Sequence, residues 1–107
     1  MPSLAEFTDA NFDAEVIRSD KPVLVDFWAE SCSPCKRMHP VIKKLAQVLD
    51  GRVKVGRLNV VENPEVTQAL SIKGIPYLIV VRAGAIVLEM IGDRALEELR
   101  QKVELVV

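Results

Sequence analysis

Two cysteines and one histidine are all that this 107-residue chain offers as soft metal ligands, whereas a structural zinc site ordinarily takes four Cys or His donors. Closing a tetrahedron would require a second chain. A basic surplus is also missing: fourteen Lys and Arg against fifteen Asp and Glu leave a formal charge of -1. That is too little to neutralise a run of phosphates, so no nucleic-acid partner is expected. Long apolar runs are absent as well. The longest charge-free stretch in the C-terminal half, "GIPYLIVV" from Gly74 to Val81, is eight residues, far short of the roughly 20 that a membrane-spanning helix needs. No membrane association is expected. The opening "MPSLAEFTDANFD" has neither the cationic segment nor the apolar block of a secretory signal, which points to a cytoplasmic setting.

What is present suits one compact unit. Half of the residues are apolar and 27% are charged, a balance that fills a core and still covers it. The length is that of a single domain over residues 1–107, and no repeat or low-complexity tract divides it.

Hydrophobic periodicity switches between strand and helix patterns along the chain. "LAEF" is a short strand, after which Thr8 and Asp9 are placed to cap a helix whose Phe12 and Val16 share a face. "PVLVDFWA", Pro22 to Ala29, is a continuous apolar run broken only by Asp26, as expected of a central strand covered on both sides. From Cys35 to Leu49 the apolar residues Met38, Val41, Ile42, Leu45 and Leu49 recur at helical steps. Asp50-Gly51 ends that helix, and Pro40 within it predicts a kink. "VKVGRLNV" is a further strand; Asn63 and Pro64 take the cap and first position of a short helix. "YLIVVR" and "AIVLEMI" flank Ala83-Gly84 as an antiparallel hairpin. "ALEELRQKVELV" closes the chain as an amphipathic helix. The order predicts an α/β sandwich with a mixed sheet between helices.

Cys32 and Cys35 stand in "WAESCSPCKRMHP", at a strand-to-helix junction. A bracing disulfide is improbable in a reducing compartment, and so small a loop would add little entropic stability. Thiol–disulfide exchange suits the position better. Near the helix N-terminus, Cys32 would face unpaired backbone N–H groups and the positive end of the helix dipole, which favour thiolate over thiol. Cys35, almost a turn further in, is better placed to resolve a mixed disulfide than to attack. Pro34 suits the first helical turn, where its absent N–H is no loss. Two electrons would move with no bound cofactor.

Taken together, "VLVDFWAESCSPCKRMHP", "RLNVVENP", "KGIPY" and the positions of Gly84 and Gly92 resemble the thioredoxin family over essentially the whole chain. The resemblance implies a thioredoxin fold with a five-stranded mixed sheet and four helices, a protein disulfide reductase activity, protein disulfides as substrates, and a flavin-containing thioredoxin reductase as electron donor to a monomer. By position it makes Asp26 the buried acid that exchanges a proton with Cys35, with an ion pair to Arg57, where the family usually has lysine, as the alternative role. It makes Ile75-Pro76 the cis-proline loop, against which a turn that merely starts a strand is the plainer reading. Trp28 would lie beside the motif, and Lys36 would either tune the thiolate or stand as a solvated helix cation.

The departures from the family pattern bear on specificity. Ser31 replaces the usual tryptophan before the first cysteine and Ser33 the usual glycine after it; Tyr77 follows the proline where threonine is common, and Val61 stands where an acid is frequent. A Ser33 hydroxyl donating to the Cys32 thiolate would make the pair less reducing. A dedicated partner, an oxidase or isomerase, and a non-catalytic binding module are the competing readings. His39 reads as a helix-surface residue with a minor pH-dependent influence on the thiols.

Overall fold

The computed structural model describes residues 4–107. The first three residues, part of the segment read above for a secretory signal, lie outside the described residues. Five strands, β1 (Ala5–Phe7), β2 (Val23–Trp28), β3 (Lys54–Asn59), β4 (Tyr77–Arg82) and β5 (Ala85–Ile91), form one sheet in the order β1-β3-β2-β4-β5. β1, β3 and β2 run parallel, and β4 and β5 are antiparallel, so the sheet is mixed as the sequence predicts. Three α-helices, α1 (Ser33–Val48), α2 (Pro64–Ala69) and α3 (Leu96–Glu104), join a π-helical segment, Asp13–Ile17, on its two faces.

Alternation along β2 divides the core. Val23, Val25 and Phe27 face Phe7, Phe12, Val16, Leu58, Ile79 and Val81, against which Ile17, Val66 and Leu70 pack. Leu24 points the other way, into the cluster made by Met38, Ile42, Leu45 and Leu49 of α1 and its C-terminal cap with Leu99 and Val103 of α3. Strand residues two apart share a face, so Asp26 and Trp28 lie with Leu24 on the α1 side. β2 is thus covered on both sides, which is why its apolar run is nearly unbroken.

The connections explain several boundaries. Ala83 and Gly84 both adopt positive φ, 52° and 79°, the left-handed pair of a two-residue hairpin turn. α1 continues through Pro40 to Val48. At Gly56 an added Cβ would come within 2.5 Å of the Phe7 ring and 2.6 Å of the Ala5 carbonyl, so glycine lets β1 lie close against β3.

Two caps differ from the sequence reading. Thr8 and Asn11 satisfy one another: the Thr8 amide donates to Asn11 Oδ1 at 2.8 Å and the Asn11 amide to Thr8 Oγ1 at 3.1 Å. The helix that follows is widened to a π-turn, Arg18 N–H reaching the Asp13 carbonyl at 2.9 Å. Phe12 and Val16 are nevertheless both buried, as their spacing requires. Asp9 caps a different helix: its carboxylate accepts from the amides of Glu65 (3.1 Å) and Val66 (2.9 Å) at the start of α2. Asn63 holds the cap position of α2, but its side chain is engaged by the Asp9 amide and the Asn59 carbonyl instead. A carboxylate at a helix N-terminus is favoured over an amide by the dipole.

Candidate active site

The strand-to-helix junction presents the two sulfurs. β2 ends at Trp28, and the chain turns so that the Cys32 amide donates to the Ala29 carbonyl at 3.1 Å. Cys32 is the N-cap of α1, with extended backbone angles, and Pro34 occupies the first turn. Cys32 and Cys35 are joined as a disulfide, their Cα atoms 5.2 Å apart. The Cys35 amide donates to Cys32 Sγ at 3.2 Å, so the orphan N–H of the first helical turn is spent on that sulfur, while Ser33 is exposed. An amide and a helix dipole placed in this way are of the kind that favours a thiolate over a thiol. The sulfurs are unequal in access: Cys35 is fully buried, Cys32 half-buried.

A buried carboxyl lies on the α1 side of β2. Asp26 is fully buried; its Oδ2 accepts from Arg57 Nε at 3.3 Å, while Oδ1 has no partner among the described residues. The two residues face one another across β2 and β3 in register. Burial pushes the Asp26 pKa up to about 6, and the Arg57 cation with its hydrogen bond opposes that rise. Asp26 is ion-paired with Arg57, and desolvation still wins. Arg57 is itself sandwiched, its guanidinium carbon 4.0 Å from the centre of the Trp28 ring, a cation–π contact that fixes the donor.

The loops before β4 and after β5 meet one another. The Ile75–Pro76 peptide is cis, and the Gly92 amide donates to the Pro76 carbonyl at 2.9 Å, tying the two loops together. Ile75 itself makes no backbone hydrogen bond among the described residues. Ser31, Ser33 and Lys36 are exposed. Tyr77 is taken elsewhere: its ring meets Phe27 edge-on at 6.5 Å and its hydroxyl donates to Glu89 at 2.5 Å, on the sheet face away from α1.

His39 departs from the surface role its helix suggested. It is only partly exposed, its Nδ1 is buried without a partner among the described residues, and it lines a cavity of about 320 Å³ together with Trp28, Arg57 and Asn59. The signal was present in the spacing, since four residues after Cys35 is the same face of the helix.

A thioredoxin family model matches residues 3–105. The chain belongs to the thioredoxin family. It is 39% identical over 99 residues to a thioredoxin of Chlorobaculum thiosulfatiphilum, covering 92% of each chain. It is 48% identical over 92 residues to a thioredoxin of Alicyclobacillus acidocaldarius, covering 86% of this chain and 87% of the relative. Thioredoxin 1 of a Nostoc strain is 40% identical over 104 residues, 97% of each. With its CxxC pair this thioredoxin-family chain is a thiol–disulfide oxidoreductase of the protein disulfide reductase kind.

Proposed function

We propose that Cys32 is the attacking sulfur, Cys35 the resolving one and Asp26 the proton acceptor between the two steps. The observation that carries this reading is the unequal access of the two sulfurs: Cys32 is reachable at the helix cap, and Cys35 is fully buried one turn in. In the first step the Cys32 thiolate attacks a substrate disulfide; a Cys32–substrate bond forms and one substrate thiolate leaves. In the second, the Cys35 thiol gives its proton to the Asp26 carboxylate, its sulfur attacks Cys32 Sγ, and the second substrate thiolate leaves. The chain ends as the Cys32–Cys35 disulfide, two electrons poorer, and a thioredoxin reductase or dedicated reductase returns it to the dithiol.

Ile75, whose backbone has no hydrogen-bond partner among the described residues, supports substrate docking by main-chain pairing beside Cys32, in the manner of an added strand. Trp28, Ser31, Pro34 and Gly92 are assigned to the substrate-facing surface, where the small Ser31 and the exposed Val61 suit a narrower set of partners. The chain works as a single monomeric domain in a reducing, cytoplasmic setting, the compartment in which a dithiol of this kind is regenerated. Trapping tests the assignment: Cys35→Ser accumulates a mixed disulfide with a protein substrate, and Cys32→Ser forms none. Undiminished turnover by Cys32→Ser would overturn it.

A further inference from the structure

We propose that His39 is a positioning residue of the redox site, setting through the Arg57 guanidinium the pH at which Asp26 accepts a proton. The inference rests on the exchange mechanism above and adds a group to it.

Two side-chain polar atoms among the described residues are buried without a hydrogen-bond partner: Asp26 Oδ1 and His39 Nδ1. Unpaired buried polar atoms are few in folded proteins and call for an explanation. One cation relates the two side chains: it bonds Asp26 and lines a cavity together with His39. Arg57 binds the other oxygen of Asp26 at 3.3 Å. It also stacks on Trp28 at 4.0 Å and borders, with Trp28 and His39, the cavity of about 320 Å³. His39 reaches this place because it follows Cys35 by one turn on α1.

The charges around His39 fix the sign of the effect. On its own helix stand Lys36 and Lys43, three residues before and four after it. From β3 comes Arg57; from β1, Glu6; from the loop after β3, Glu62; and Asp26 of β2 lies behind Arg57. Glu6 and Glu62 are exposed, so water and salt screen them. Burial first, then Arg57 and Lys43, hold the His39 pKa below its ordinary value. Burial and these cations therefore favour the neutral imidazole over the charged one. Charging it sets a second positive charge next to Arg57 and favours the Asp26 carboxylate. Protonating Asp26 removes the buried anion paired with Arg57 and makes His39 harder to charge. The two groups titrate as a coupled pair, and coupling of this kind is reciprocal. No sulfur bond involves His39; the proton from Cys35 still goes to Asp26.

NMR titration of the His39 ring and the Asp26 carboxyl in the oxidised protein tests this without turnover, so a negative result leaves the exchange mechanism standing. Asp26→Asn is expected to lower the His39 midpoint by about half a pH unit or more. Reciprocally, His39→Lys is expected to lower the Asp26 midpoint by a similar amount, and the neutral His39→Gln to leave Asp26 with a simple single-site curve. A His39 curve in Asp26→Asn that overlays the wild-type curve would overturn the proposal, as would an Asp26 midpoint unmoved by His39→Lys. The Asp26→Asn measurement decides the matter alone if the lysine variant does not fold.

Discussion

Arg57 Nε stands 3.3 Å from Asp26 Oδ2 in the interior of the sheet, with the aspartate fully buried and the arginine side chain 15% exposed. One carboxylate oxygen is thereby satisfied, and the other has no partner among the described residues. An ion pair with only one hydrogen bond does not recover the full cost of removing a carboxylate from water, which is why the acid titrates near neutrality despite its cationic neighbour. A base for a buried thiol needs that poise: strong enough to accept a proton, weak enough to return it.

The elevated pKa has a sign for stability. Asp26 moves from 3.8 to about 6 on folding, so between those values the folded state holds more protons than the unfolded one, and stability falls as pH rises through that window. Asp26→Asn removes the penalty. Denaturant unfolding is expected to show the variant more stable at pH 7 by at most about 3 kcal/mol, less whatever is lost by leaving Arg57 without its anion. The gain should vanish below about pH 4, where both states of the wild type are protonated.

Asp9 accepts from two amides at the head of α2, a contact that joins positions more than fifty residues apart. Asp9→Ala is expected to cost about 1 kcal/mol, read in a thermal melt as a midpoint about 4–8 °C lower. The α2 helix, only six residues long, should lose hydrogen-exchange protection before the sheet does.

Ser33 is exposed in the disulfide form, where the hydrogen bond to Cys32 Sγ comes from the Cys35 amide. A hydroxyl that turns to the sulfur only when it is a thiolate stabilises the reduced state alone. Ser33→Gly should therefore be the more reducing protein, its equilibrium with glutathione shifted by about tenfold, or about 30 mV. An unchanged equilibrium constant would show that the serine has no part in the redox poise.

The sheet and its helices were legible because their signals are local. The unbroken apolar run of β2, the helical spacing of Met38, Ile42 and Leu45, and the Ala83-Gly84 turn each specify an element without reference to the rest of the chain. Cys32 and Cys35 were legible for the same reason, being a motif at a junction. Asp9 caps α2 and not the helix beside it in sequence; a cap is recognised in sequence by adjacency, whereas this carboxylate reaches α2 across space. The π-turn at Asp13–Ile17 follows from packing Phe12 and Val16 against the sheet, which periodicity alone does not distinguish from an α-turn. His39 was read as a surface residue because the cavity it faces is made by β1, β3 and Trp28, none of which is near it in the chain.

The inequality of the two sulfurs is most directly read by alkylating the fully reduced protein with iodoacetamide across pH and locating the modified residue by mass spectrometry. The account predicts that Cys32 reacts first, with a midpoint well below that of a free thiol near ~8.5, while Cys35 stays protected until the protein unfolds. Equal rates at both residues, rising only with the pH profile of an unstructured peptide, would contradict it.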